Sequence, residues 1–186
     1  MAIQTRGLTL EQFLELPEEK PALEFMHGKV TQKVSPKARH SRLQWRLSER
    51  VNQFAEPRRL AIAFPELRAT FAGASPVPDV AVFVWDRLPI DPDGELQDDV
   101  FAPPDIAFEV LSPGQRVARV AERCRWYVEN GVRIGVLVNP RDRSVSLFRP
   151  SVPPVVLRGD DGIDLSDVLP GFSLTVQDLF ASLSIK

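Results

Sequence analysis

Two short runs, "VAVFVW" (80–85) and "IAFEVL" (106–111), constrain the fold of this 186-residue chain more than anything else in it. Neither alternates apolar with polar residues, as a strand with one wet face would, so both faces of each strand must be covered. A sheet covered on both faces needs helices on both sides, and the chain has the material. From Pro36 to about Ala55, Leu43, Leu47, Val51 and Phe54 recur at helical spacing. After the second run, Ser112, Pro113 and Gln115 read as N-cap, first-turn proline and N3 glutamine of a helix that ends at Asn130-Gly131. Its core stripe is Val117, Val120, Ala121, Cys124 and Val128. The expected class is α/β (α+β), with a mixed central sheet flanked by helices.

The other segments fit that frame. Thr9 three residues before Gln12 predicts a capping box and a short helix ending near Pro17. "ALEFMHGKVTQKV" reads as a hairpin turning at His27-Gly28, and "LAIAF", "LRATFAG", "IGVLV" and "VSLFR" read as further strands. The tail predicts a turn and a terminal helix starting near Thr175. Between the two defining runs, "DRLPIDPDGELQDDVFAPP" is a long acidic loop. At this length one domain over 1–186 is expected.

Composition excludes several classes. No run approaches the roughly 18 apolar residues of a spanning helix, and the N-terminal "MAIQTRGLTLEQF" has no apolar core of a leader, so a cytoplasmic protein without membrane contact is expected. Cys124 is alone, so a metal would be held by oxygen or imidazole, which favours hard cations. Net charge is only −2, but the signs are segregated. Lys37 to Arg59 carries seven Lys or Arg against Glu49 and Glu56, and Asp86 to Asp105 carries seven acids against Arg87. No glycine-rich phosphate loop and no G-x-S-x-G motif are present.

The strands themselves carry the candidate chemistry. Alternation within Ile106–Leu111 places Glu109 on one face between Ala107 and Leu111. A carboxylate buried alone is strongly unfavourable, so Glu109 must be paired, protonated or bound to a cation. Asp79 follows Pro78, which belongs at a strand start or edge, so it lies near the sheet's rim. If the two strands are neighbours, Asp79 and Glu109 converge, and two carboxylates suit Mg²⁺. Asp79 as a plain turn residue, and Glu109 paired with an arginine, are the open alternatives. On the second long helix Arg116, Arg119 and Arg123 stand at i, i+3 and i+7, forming one row.

"ALEFMHGKV", "SPKARHSRLQWRL", "PDVAVF", "IAFEVLSPG" and "WYVENGVRIGVLVNP" occur in one order. In that order and spacing the chain resembles the Uma-type family of restriction-endonuclease-like proteins, a bacterial branch of the PD-(D/E)XK nuclease superfamily, from about 23 to 180. The resemblance implies a restriction-endonuclease-like core in which Asp79 and Glu109 are catalytic, metal-binding acids and Glu24 a further acidic position. It implies Mg²⁺, with Mn²⁺ as substitute, and DNA as partner. The superfamily lysine two residues after the second acid is replaced here by Leu111, and the family's cation on the following helix is matched by Arg123. Arginine stabilises an anionic transition state but is a poor proton acceptor. Lys29, Lys33 and Lys37 lie in or after the hairpin, and one of them can substitute for the missing lysine.

His40 falls in line with Leu43 and Leu47, as a core histidine does, and the family often has a histidine there; with Arg116 and Arg119 it completes the nucleic-acid-facing candidates. The function expected is a Mg²⁺-dependent DNA endonuclease, acting as a dimer or higher homo-oligomer so that two strands are cut. The alternative is a weak or inactive nucleic-acid-binding or oligomeric interaction protein on the same fold.

Overall fold

The structure, a computed structural model, describes residues 7–185. Residues 1–6, the start of the stretch read for a leader, lie outside them. Eight strands and four α-helices follow one another as α1 (Leu10–Leu14), β1 (Leu23–Met26), β2 (Lys29–Gln32), α2 (Ala38–Ala55), β3 (Ala61–Pro65), β4 (Val80–Val84), β5 (Ile106–Val110), α3 (Val117–Glu129), β6 (Ile134–Asn139), β7 (Ser144–Arg149), β8 (Val152–Arg158) and α4 (Val176–Ala181).

β3 to β8 form one six-stranded sheet in sequence order, antiparallel except for β5 and β6. That parallel pair follows from α3, which crosses between them, since parallel neighbours cannot be joined by a tight turn. Both defining runs are buried along their length apart from half-exposed Val84 and Trp85 at the end of the first. On one face Leu43, Leu47 and Val51 of α2 pack with Val80, Val82, Phe108 and Val110, and Leu179 and Phe180 of α4 join them. On the other, Val120 and Cys124 of α3 pack with Leu111, Leu137 and Phe148. At β6 the contact is tight: a Cβ on Gly135 would stand 2.9 Å from the Cys124 carbonyl oxygen, so only glycine lets α3 lie this close.

β1 and β2 form a separate hairpin, turning at His27-Gly28. With α1 it makes a satellite core of Phe13, Leu23, Phe25 and Val30. It is tied to the body by two main-chain bonds between Phe25 and Ser75, at 3.2 and 2.8 Å. The Thr9–Gln12 capping box is present, and Thr175 caps α4.

Three sequence expectations are corrected. "LRATFAG" is no strand; it makes single bridges, Ala69 with Val100 and Phe71 with Ala74. α3 begins at Val117, four residues later than a Ser112 cap requires, because Gly114 turns to φ +88° and breaks the helical path. The Gln115 carboxamide still takes the Ser112 N–H at 2.8 Å, but it closes a turn. Val117, read as core, is consequently exposed. β8 went unread because Pro153 and Pro154 interrupt it, which a strand tolerates only at an edge, and β8 is one. No helix among the described residues is long and apolar enough to cross a membrane.

Candidate active site

Asp79 is positioned by the way a β-ladder ends. The β4–β5 pairing runs Val82–Ile106, Ala81–Ala107, Val80–Phe108, and then stops. The next inward amide, Val110 N–H, is left without a strand partner and donates to Asp79 Oδ2 at 2.7 Å. A buried amide must be satisfied, so this bond anchors the carboxylate beside Glu109. Asp79 and Glu109 are 2% and 6% exposed, and Glu24 of β1 is 3% exposed.

Each acid has a cation of the chain beside it. Lys33, one residue past β2, reaches Asp79 Oδ1 at 2.6 Å and donates to the Val77 carbonyl at 2.8 Å. Arg123 of α3 bonds Glu24 Oε1 through Nη2, and its Nε lies 2.9 Å from Glu109 Oε1. The Tyr127 hydroxyl accepts from Arg123 Nε at 2.9 Å and donates to Glu109 Oε1 at 2.6 Å. Glu24 also accepts from Val77 N–H at 2.7 Å. His40 Nε2 stands 3.3 Å from Asp79 Oδ1, while its Nδ1 is 2.9 Å from the Ser112 hydroxyl. Gln44 donates to the Asp79 main-chain carbonyl at 2.9 Å.

The electrostatics follow from a charge mismatch: three carboxylates face two permanent cations, which leaves one negative charge uncompensated. The strain falls on Glu109. Burial is the main force lifting its pKa, Arg123 opposes it, Asp79 adds to it, and the carboxyl ends at about 7. Asp79 goes the other way: although burial resists ionisation, Lys33 and His40 outweigh it and hold the carboxyl well below the usual range. Burial opposes charge on Lys33 as well, but Asp79, Glu109 and Glu24 together raise its pKa, so the ammonium persists. Arg123 is kept charged in the same way by Glu109 and Glu24.

Whether a divalent cation fits can be asked of the donor set. It is all oxygen, which suits Mg²⁺ or Mn²⁺. No protein hydrogen bond ends on Glu109 Oε2 or Glu24 Oε2 among the described residues, and Asp79 Oδ2 accepts from Val110 N–H alone, so each carboxylate keeps a lone pair to offer. No group of three or more His, Cys, Asp or Glu among the described residues forms a metal cage. The arrangement therefore fits an ion held by one or two carboxylates with water completing its shell, and the uncompensated charge has the right sign for it.

The structure thus brings Glu24, Asp79, Glu109, Arg123 and His40 into one cluster. Arg116 and Arg119 stay exposed at the start of α3 and take no part in it. Glu109 does bond an arginine, as the ion-pair reading has it, but Asp79 is beside it rather than far away. Leu111, where the resemblance leads one to look for a lysine, is buried against Val120 and Cys124 of α3. Lys33 is the member of the three hairpin lysines that takes a place in the cluster, and Tyr127 is a member that the sequence does not single out. Its i+4 spacing from Arg123 was the available signal for Tyr127.

A family model described as Uma2, "Putative restriction endonuclease", matches residues 10–177. The chain belongs to the Uma2 family. A solved structure described as "a putative nuclease belonging to DUF820", from Anabaena variabilis, superposes on this Uma2 chain with a TM-score of 0.92. The two are 35% identical, over 96% of this chain and 100% of the other. No curated protein matches it. The restriction-endonuclease-like fold expected from the sequence, with its mixed sheet and N-terminal hairpin, is the fold of this Uma2 domain.

Proposed function

We propose that this protein is a metal-dependent endonuclease that hydrolyses phosphodiester bonds in DNA. The observation that carries the reading is the convergence of Asp79, Glu109 and Lys33 at the end of the β4–β5 ladder, within a chain of the Uma2 family. Mg²⁺ or Mn²⁺ would be held by Asp79 and Glu109, and when bound it lowers the pKa of a water and offsets charge on the phosphate.

The chain's own groups divide the remaining work. Asp79 is fixed by Val110 N–H and does not turn. Lys33 stays protonated, so it acts as a charge beside the scissile phosphate and not as a base. Arg123, beside Glu24 and Glu109, supplies a second positive charge for the phosphate. His40 holds Asp79 from behind, through Nε2, and Tyr127 orients Glu109.

Plasmid incubated with Mg²⁺ or Mn²⁺ and with wild type, Asp79→Ala or Glu109→Ala tests this. Loss of cleavage in both variants by about a hundredfold or more is expected; equal cleavage by all three overturns it. A second reading is favoured by the two ion pairs of Arg123, which already satisfy Glu24 and Glu109: a module that binds DNA without cutting it. That reading requires salt-dependent binding that a chelator leaves unchanged. Cutting both strands calls for two sites, so self-association into a dimer belongs to the endonuclease reading, measured by sedimentation.

A further inference from the structure

A pocket of about 300 Å³ opens next to the cluster, and His40 is the wall the two share. One ring nitrogen of His40 faces Asp79 and the other the Ser112 hydroxyl. The floor is apolar, made of Leu111, Pro113 and Pro140, and the rim is cationic, made of Lys37, Arg39 and Arg141. No carboxylate among the described residues lines it. Arg141 is held in place there, because its Nη2 donates to the Ser112 and Gln115 carbonyls at 3.0 and 3.1 Å.

We propose that this pocket receives one unpaired nucleobase of the strand being cut, an inference that rests on the nuclease reading and names its substrate class. The volume lies at the lower end of the roughly 300–1,000 Å³ of small-ligand pockets, enough for one ring system. The two proline rings offer apolar surface to a base, and the cations beside them offer charge to the phosphates on either side of it. The start of α2, whose N-cap Lys37 makes no side-chain bond, lies along the same rim and adds main-chain donors. A base stacked in a duplex cannot enter, so the strand must present it unpaired or flipped.

The test uses the full chain with a chelator present, so that binding is read without cleavage. Fluorescence anisotropy compares a labelled duplex carrying one unpaired nucleotide with its fully paired counterpart, for wild type, Ala38→Trp and Arg39→Glu. Ala38 lines the pocket and is exposed, so tryptophan there fills the space without entering the core. Wild type is expected to prefer the unpaired duplex by about tenfold, or about 1.4 kcal/mol. Ala38→Trp erases that preference, and Arg39→Glu weakens binding of both duplexes. Deoxythymidine monophosphate competes for wild type at concentrations where inorganic phosphate does not.

Equal affinity of wild type for the two duplexes, or a preference that survives in a folded Ala38→Trp, overturns the proposal. Should Ala38→Trp fail to fold, competition by the mononucleotide that is unchanged in Arg39→Glu, or matched by phosphate alone, overturns it instead. Plasmid cleavage run in parallel separates the two readings. Cleavage without base preference sinks the pocket and leaves the nuclease; base preference without cleavage does the reverse.

Discussion

Lys33 Nζ lies 2.6 Å from Asp79 Oδ1, and 46 positions of chain separate them. The lysine arrives from the N-terminal hairpin, one residue past the end of β2. It meets a carboxylate already fixed by Val110 N–H, and the pair is almost fully buried.

Removing that lysine therefore strands a buried charge. Lys33→Met is expected to lose about 3–5 kcal/mol in urea denaturation, the usual cost of breaking a buried pair from one side. It also loses most cleavage, whereas Asp79→Asn with Lys33→Met recovers part of the stability and none of the activity. Unchanged stability in Lys33→Met would show that the bond contributes little.

The raised pKa of Glu109 gives a signed prediction. An unfolded Glu109 titrates near 4.5 and the folded one near 7, so between these values the folded state holds the extra proton. Without metal, stability is greatest below about 4.5 as far as this group decides it, and falls as pH rises through 7. Asp79, with its pKa lowered, acts only at the acid end, where its contribution is lost below the usual aspartate range. Glu109→Gln should flatten the fall between pH 5 and 8, worth about 1–3 kcal/mol; parallel profiles for the two proteins would refute the assignment.

Tyr127 links Arg123 to Glu109 through a hydroxyl that both accepts and donates. Tyr127→Phe keeps the ring in the core and leaves a buried carboxylate oxygen one donor short. A loss of about 1–3 kcal/mol is expected, together with a drop in cleavage rate smaller than that of Glu109→Ala. Calorimetry and plasmid nicking on the same preparation check both.

Gly135 tests the packing that positions α3, and with it Arg123. Alanine there drives a methyl against the Cys124 carbonyl, so α3 must lift away from β6. The cost expected is about 1–3 kcal/mol, with cleavage reduced because Arg123 moves relative to Glu109. A Gly135→Ala protein as stable as wild type would mean that α3 shifts freely.

What the sequence disclosed follows from how local each cause is. Asp79 and Glu109 could be paired on paper because a proline marks one strand's start and side-chain alternation orients the other, and both cues lie within a few residues. The pairing of β4 with β5 then did the rest. Lys33 offered no such cue: three lysines stand near the hairpin, and only docking of the hairpin selects one. Ser112 and Gln115 show a local cue that misleads, since the same bond that would cap a helix also closes a turn when a glycine follows with positive φ. β8 failed for the opposite reason, because proline forbids a central strand but not an edge, and edge position is a property of the whole sheet.

The hairpin brings one charge of each sign into the cluster, Glu24 toward Arg123 and Lys33 toward Asp79. Like a two-pin plug, it is neutral as a contributor and polarised only at contact distance. The two contributions largely cancel at a distance, and seating the hairpin in the wrong register would set like charges against each other. Two charged members of the site are thus carried on a hairpin with its own small core, and their fit is checked by polarity before any substrate arrives.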